Sequence, residues 1–202
     1  MQMRQSAATI ITVIATLSCA QTPAPQTSYF PPHTLSQNMP SDKFVTGWYS
    51  QQLAALKEPS LWRPIHETND EEYRFLWLRT FHHPIAVRLA ISPSGEGTLI
   101  TKIADGAGGY KPGKLITDTT THLDKVQLDR FREKIIHDNF WNLPAEGTQG
   151  GMDGSEWIIE GQRHGNYHVV SRWTPSSGEV FDLGNALAIE MAKIDIPKSE
   201  FY

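Results

Sequence analysis

Between residues 73 and 104 the chain alternates apolar and polar positions in three short runs divided by turn residues. In YRFLWLRTF (73–81), Tyr73, Phe75, Trp77, Arg79 and Phe81 share one parity and Leu76 and Leu78 the other. Side chains alternate across a strand, so apolar residues on both parities predict a strand covered on both faces. After His82-His83-Pro84, residues 85–92 place Ile85, Val87, Leu89 and Ile91 on one side, with Ala86, Arg88, Ala90 and Ser92 on the other. Pro93-Ser94-Gly95 marks the next turn, and GTLITKIA (97–104) completes a three-strand meander. Four glycines in DGAGGYKPG (105–113) make a loop, and 114–120 read as a fourth strand. A second glycine-rich loop, AEGTQGGMDG (145–154), precedes two runs, 155–162 and 167–174, joined as a hairpin through His164-Gly165-Asn166. With Gly165-Asn166 as its two central residues, Ile159 faces Arg172 and Glu160 faces Ser171, which sets Glu160 and Arg172 on opposite sides of the sheet.

Three stretches carry helical spacing instead. Val45, Trp48, Tyr49, Leu53 and Leu56 recur near every 3.6 residues over 42–57, with Ser41 or Asp42 as cap and Pro59 as stop. Asp124 caps a helix over 125–138, Gln127 closes a capping box, and Leu128, Phe131 and Ile135 form its apolar stripe. A last helix over 180–193 turns Val180, Leu183, Leu187 and Met191 inward. Strands joined by tight turns favour an antiparallel sheet of five to six strands with about three helices packed on one face. The fold class is α+β, in a single domain over 41–202.

The N-terminus has a different pattern. Arg4 precedes eleven uncharged residues, AATIITVIATL (7–17), and the small residues Ser18-Cys19-Ala20. This is the layout of a secretory signal peptide over 1–19, and the apolar run is shorter than the roughly 20 residues that cross a bilayer. Thr16-Leu17-Ser18-Cys19 resembles a bacterial lipobox, although Leu17 stands two residues before the cysteine where the pattern prefers three. Cys19 is thus the candidate lipidation site, with cleavage after Ala20 as the rival reading. Five prolines in 20–40 (Pro23, Pro25, Pro31, Pro32, Pro40) predict an extended tether.

Composition narrows the function classes. Cys19 is the only cysteine, so the folded part has no disulfide. The net charge is −4; removing Arg4 with the signal leaves 17 basic against 22 acidic residues, a net of −5. Such a chain has no electrostatic reason to bind nucleic acid. The expected contacts are the membrane, through an acyl chain on Cys19, and a protein or glycan in the cell envelope.

No catalytic motif stands out. Gly108-Gly109-Tyr110-Lys111-Pro112-Gly113-Lys114 has the spacing of a phosphate-cradling loop, but Leu115 takes the place of the magnesium-holding hydroxyl and β-like residues follow where a helix should start. Ser155 lacks a G-x-S-x-G elbow. Asp153, Glu156 and His168 are the candidates for an acid–base hydrolase. Glu156 and Glu160 lie on one strand face about 13 Å apart, beyond the roughly 6.5–9.5 Å of an inverting glycosidase pair. His164 and His168 on a hairpin, and adjacent His82 and His83, do not converge as zinc ligands, even with Asp153 and Glu156 added. No metal or cofactor is expected. Charges set in apolar strands are less usual: Arg79, Arg88, Glu160 and Arg172 are candidates to line a polar cleft for an anionic or carbohydrate ligand, against the plainer reading of register-fixing ion pairs or snorkelling arginines.

The run YRFLWLRTFHHPIAVRL, the loop DGAGGY and the hairpin DGSEWIIEG…YHVVSRWTP together resemble a group of exported bacterial proteins, lipoproteins of uncharacterised function. The resemblance spans about residues 48–190 and implies a bacterial setting and one domain, with no site residues. Two functions follow as expectations: a non-catalytic envelope binding or structural module using its aromatic sheet, or an envelope hydrolase.

Overall fold

The computed structural model describes residues 28–62, 71–147 and 150–202. The signal segment, Cys19 and the first part of the proline-rich stretch lie outside the described residues. The elements run α1 (Met39–Ala55), β1 (Glu71–Arg79), β2 (Ile85–Ile91), β3 (Gly97–Ala104), β4 (Leu115–Leu123), α2 (Lys125–His137), β5 (Ser155–Arg163), β6 (Asn166–Trp173) and α3 (Glu179–Asn185). The six strands form one antiparallel sheet in the order β4-β3-β2-β1-β5-β6. The α+β class, the strand count and the three helices agree with the sequence reading.

The helices do not share a face. On one side α2 and α3 seal a core of Tyr73, Phe75, Trp77, Val87, Leu89, Phe131, Trp157, Ile159 and Leu183. The other side is covered by α1, whose Tyr49, Leu53 and Leu56 pack on Leu76, Leu78, Ala86, Ile158 and Val169. The expectation of helices on one face is therefore corrected. The double parity of β1 already required a second cover, and α1 supplies it.

Each element has a local cause. Asp124 accepts from the Gln127 amide (2.8 Å) while the Gln127 side chain accepts from the Asp124 amide (3.1 Å), closing the capping box at α2. Past α3 the chain widens into a π-helix over Ala186–Met191, which turns consecutive Ala186, Leu187 and Ala188 inward. Gly184 has no room for a side chain, since a Cβ would sit 2.6 Å from the Trp157 ring. The buried indole N–H groups of Trp77 (3.0 Å) and Trp157 (3.2 Å) both donate to the Tyr202 backbone oxygen, so the last residues complete the polar pairing of the aromatic core.

Three boundaries differ from the sequence reading. The cap of α1 is Asn38, whose side chain accepts from the Ser41 amide (3.2 Å), with Pro40 in the first turn where it gives up no helix bond. Asp42 is instead buried and accepts from the amides of His33, Leu35 and Ser36. Those bonds fold residues 28–38 onto α1, with Phe30 and Leu35 buried, so the tether does not extend to residue 40. The hairpin turn is centred on His164-Gly165, both at positive φ (49° and 77°), and Arg163 pairs with Asn166. This is one residue earlier than expected. Glu160 faces Val169 and Trp157 faces Arg172, and because the pairing moves by two the sheet faces are unchanged.

Candidate functional site

The α1 face of the sheet carries two kinds of polar cluster, one closed and one open. The closed cluster centres on Arg74, fully buried in β1. Its register neighbours are Arg88 on β2 and Glu160 on β5. Facing arginines repel, and Glu58, from the turn after α1, sits between them. Arg88 Nε lies 2.9 Å from Glu58 Oε2, Arg74 Nη1 3.4 Å from the same oxygen, and Lys102 Nζ 3.1 Å from Oε1. Arg88 also binds Glu72 at 2.9 Å. Arg74 pairs with Glu160 through both Nε and Nη2 and donates to the Pro59 carbonyl, while Tyr167 donates to Glu160 Oε1 at 2.8 Å.

Burial pushes the Glu58 carboxyl up, but the charges of Arg74, Arg88 and Lys102 overcome it and hold it below the ordinary carboxylate range. Burial likewise weakens the Arg74 charge, and Glu160 and Glu58 more than restore it. Glu160 has only one cation against complete burial, so its carboxyl is pushed up. The cluster reads as a device that fixes sheet register and closes α1 over it, with every charge directed at another side chain of the protein.

The open cluster lies about 13 Å along β5, at Glu156. Trp173 stands directly opposite in β6, and Leu78 in β1. Ser171 donates to Glu156 Oε2 at 2.7 Å, and the buried Tyr49 hydroxyl lies 3.1 Å from Ser171 Oγ. Among the described residues no cation lies within ion-pair distance of Glu156, and burial pushes its carboxyl above the usual range against the hydrogen bonds of Ser171 and Tyr49. Above Glu156 opens a cleft of about 700 Å³. Its walls are Lys43, Phe44, Trp48 and Gln51 of α1, Thr80 at the end of β1, Gly109-Tyr110, Gly150-Gly151-Met152 and Trp173. Phe44, Tyr110 and Met152 are 72%, 62% and 91% exposed, and Phe81 packs its ring against Tyr110 at 6.2 Å.

The first glycine loop shapes this cleft. Its amides are already paired: Gly106 with Pro112 O, Ala107 with Lys111 O, Gly108 with His82 O and Gly109 with Thr80 O. The amides of Gly106 through Tyr110 are thus taken up by backbone carbonyls of the protein. Trp48 Nε1 (2.8 Å) and Gln52 Nε2 (3.0 Å) hold the Gly108 carbonyl and so fix the loop to α1. A Cβ on Gly108 would meet the backbone of Arg79 at 2.7 Å, which is why glycine stands there.

His168 is not brought together with the other two residues proposed for hydrolysis. Asp153 lines a separate recess with Phe81, His82 and Tyr202. His168 lies on the opposite sheet face from Glu156, paired with Gly161, about 20 Å along the ladder from the Asp153 end. Its Nε2–H donates to the Leu143 carbonyl at 3.0 Å and its ring meets Phe140 edge-on. Burial depresses its pKa, the Leu143 bond opposing. Ser155 is buried, accepts from the Trp157 indole (2.9 Å) and donates to Tyr202 O.

The four charged strand residues also separate. Arg88 and Glu160 belong to the closed cluster. On the other face, Arg79 lies over the Trp77 ring and pairs with Glu200 at 3.0 Å. Arg172 donates to the carbonyls of Ser171 and Pro144 in a recess of about 450 Å³. They do not line one cleft, and Glu160 takes Arg74 as its partner. Among the described residues no group of three or more His, Cys, Asp or Glu could hold a metal, and no helix is long and apolar enough to cross a membrane.

Sequence reading missed Arg74, Glu58 and Lys102, and it placed Trp48 in the core stripe. Arg74 could have been found from its parity: it shares the side of Leu76 and Leu78, where a charge needs a partner. No protein-family model matches this chain, and no curated protein matches it.

Proposed function

We propose that this protein is an exported bacterial envelope protein held to the membrane by an acyl chain on Cys19, and that its folded domain is a non-catalytic binding module. The ligand site is the cleft between α1, the Gly109-Tyr110 loop and the 150–152 segment. One observation carries the binding reading: Phe44, Tyr110, Met152 and Phe81, half of the large apolar side chains exposed among the described residues, gather at or beside this one cleft. Contiguous exposed apolar surface is costly to keep in water and marks places where something else covers it. The aromatic face of the sheet, the binding surface expected from sequence, is sealed by α2 and α3, so the role passes to the aromatic side chains of α1 and the loops. The non-catalytic reading is supported by the place of His168, on the opposite sheet face from Glu156 and at the far end of β5 from Asp153.

Two measurements test this. Tryptophan fluorescence, which includes Trp48 and Trp173 of the cleft, is titrated with a low-molecular-mass extract of bacterial envelopes. A saturable change in the natural protein, lost in a Phe44→Ala/Tyr110→Ala variant of unchanged fold, is expected. Absence of any change removes the reading. For the anchor, Cys19→Ala should release the protein from the membrane fraction, with mass spectrometry of the natural N-terminus showing an acylated cysteine. Unchanged membrane association would refute the anchor.

A further inference from the structure

We infer that the cleft is a site for a small quaternary ammonium compound, with Glu156 as its counter-ion and aromatic rings of the wall as its cage. This assignment rests on the binding-module reading and names the ligand class.

Charge complementarity decides the class. Three other carboxylates between the sheet and the α1 side, Glu72 and Glu160 on the strands and Glu58 from the turn after α1, each have an arginine or lysine against them. Glu156 has two hydroxyls in its hydrogen-bond chain and, among the described residues, no cation. It is among the residues that line the cleft, and its Oε2 accepts from Ser171. An anionic ligand would be repelled. A neutral apolar ligand would remove the remaining water from the carboxylate and leave it without a counter-charge, which is expensive at a desolvated site. A cation meets the charge, and the faces of Trp48, Tyr110, Phe44 and Trp173 carry the negative quadrupole that attracts it.

The choice of a quaternary over a primary ammonium follows from the acceptors. A primary ammonium has three N–H donors to satisfy. Two polar groups at or beside the wall are already engaged: the Thr80 hydroxyl donates to Gly154 O at 2.9 Å and accepts from the Gly154 amide at 3.2 Å, and the Gly108 carbonyl takes both Trp48 and Gln52. Methylated nitrogen needs no acceptors, only aromatic faces and a counter-ion. The volume of about 700 Å³ falls among small-molecule sites, typically about 300–1,000 Å³. Lys43 stands on the same wall, but it is exposed, and water and salt screen its charge.

Isothermal titration calorimetry with choline and with its uncharged isostere 3,3-dimethylbutan-1-ol tests the assignment on the full-length natural protein. Choline is expected to bind at least tenfold more tightly than the isostere, since a desolvated cation–π contact contributes about 2 kcal/mol and each 1.4 kcal/mol is tenfold. Glu156→Gln should remove most of that preference while the fold, read by circular dichroism, is kept. Tyr110→Ala should weaken choline at least severalfold. Equal binding of the two probes, equal choline binding by Glu156→Gln, or no choline binding overturns the assignment. If choline fails while the envelope extract still perturbs cleft tryptophans, only the ligand class is wrong; if both fail, the module reading falls too.

Discussion

The two faces of this sheet are held by different physics. Under α2 and α3 lies an aromatic core in which Trp77 and Trp157 meet at 4.8 Å and Phe75 lies 4.9 Å from Trp157. Under α1 a smaller apolar cluster shares the sheet with a buried ionic network of three cations and three carboxylates. Apolar packing is tolerant of partner identity and directionless. An ionic network demands that each charge find its partner, so it selects one register and one seating of α1. The α1 face is also where the cleft opens, and Glu156 shows what the network prevents elsewhere: a carboxylate that, among the described residues, has no cation. That placement lowers stability and leaves a charge available to a ligand.

The largest expected effects come from breaking each face in its own way. Trp157→Ala should cost about 3–5 kcal/mol by urea denaturation, through loss of buried area and the cavity left behind. Arg74→Met should cost a similar amount, about 3–5 kcal/mol, because it strands Glu160. The contrast lies in rescue. Arg74→Met combined with Glu160→Met should recover much of that loss, since a pair of apolar residues tolerates burial where a lone carboxylate does not. If the double variant is no more stable than the single, the network is not held together by the pair.

Acid sharpens the same contrast. The Glu58 carboxyl is depressed on folding, so its contribution is fully present above the ordinary carboxylate pKa and is lost as pH falls through its lowered folded value. Glu58→Gln should destabilise the protein at pH 7 and make stability below pH 4 less dependent on pH. An unchanged acid profile would show that Glu58 does not supply the linkage. A smaller effect is expected from Gly108→Ala, about 1–3 kcal/mol, from forcing a Cβ against the Arg79 backbone. The variant should also weaken ligand binding, since that loop carries Tyr110.

The aromatic face was largely legible in the sequence because its signals are local. Alternation in 85–91 and 97–104, the Pro93-Ser94-Gly95 turn and the Asp124–Gln127 capping box each act within a few residues. The α1 face was not, because its defining contacts are distant. Arg74 and Glu160 are 86 residues apart in sequence and become neighbours only once β5 is known to pair with β1. The parity that put Glu156 and Glu160 on one side was readable, but their different fates depend on whether a cation arrives from another strand. The cleft depends on two glycine loops and α1 meeting at one end of the sheet, and no periodicity reports that. Even the hairpin register turned on which of three turn residues take positive φ.

The central claim is that Glu156 is kept as an uncompensated charge for a ligand rather than for the fold. Its carboxyl is pushed up on folding, so the folded state holds the proton more tightly, and stability falls as pH rises through the window above the ordinary value. Thermal unfolding of Glu156→Gln beside the natural protein at pH 7.5, without ligand, tests this directly. The account predicts a variant more stable by about 1 kcal/mol, a rise in Tm of about 2–4 °C. A lower Tm would mean that the Glu156 charge supports the fold, and would contradict it.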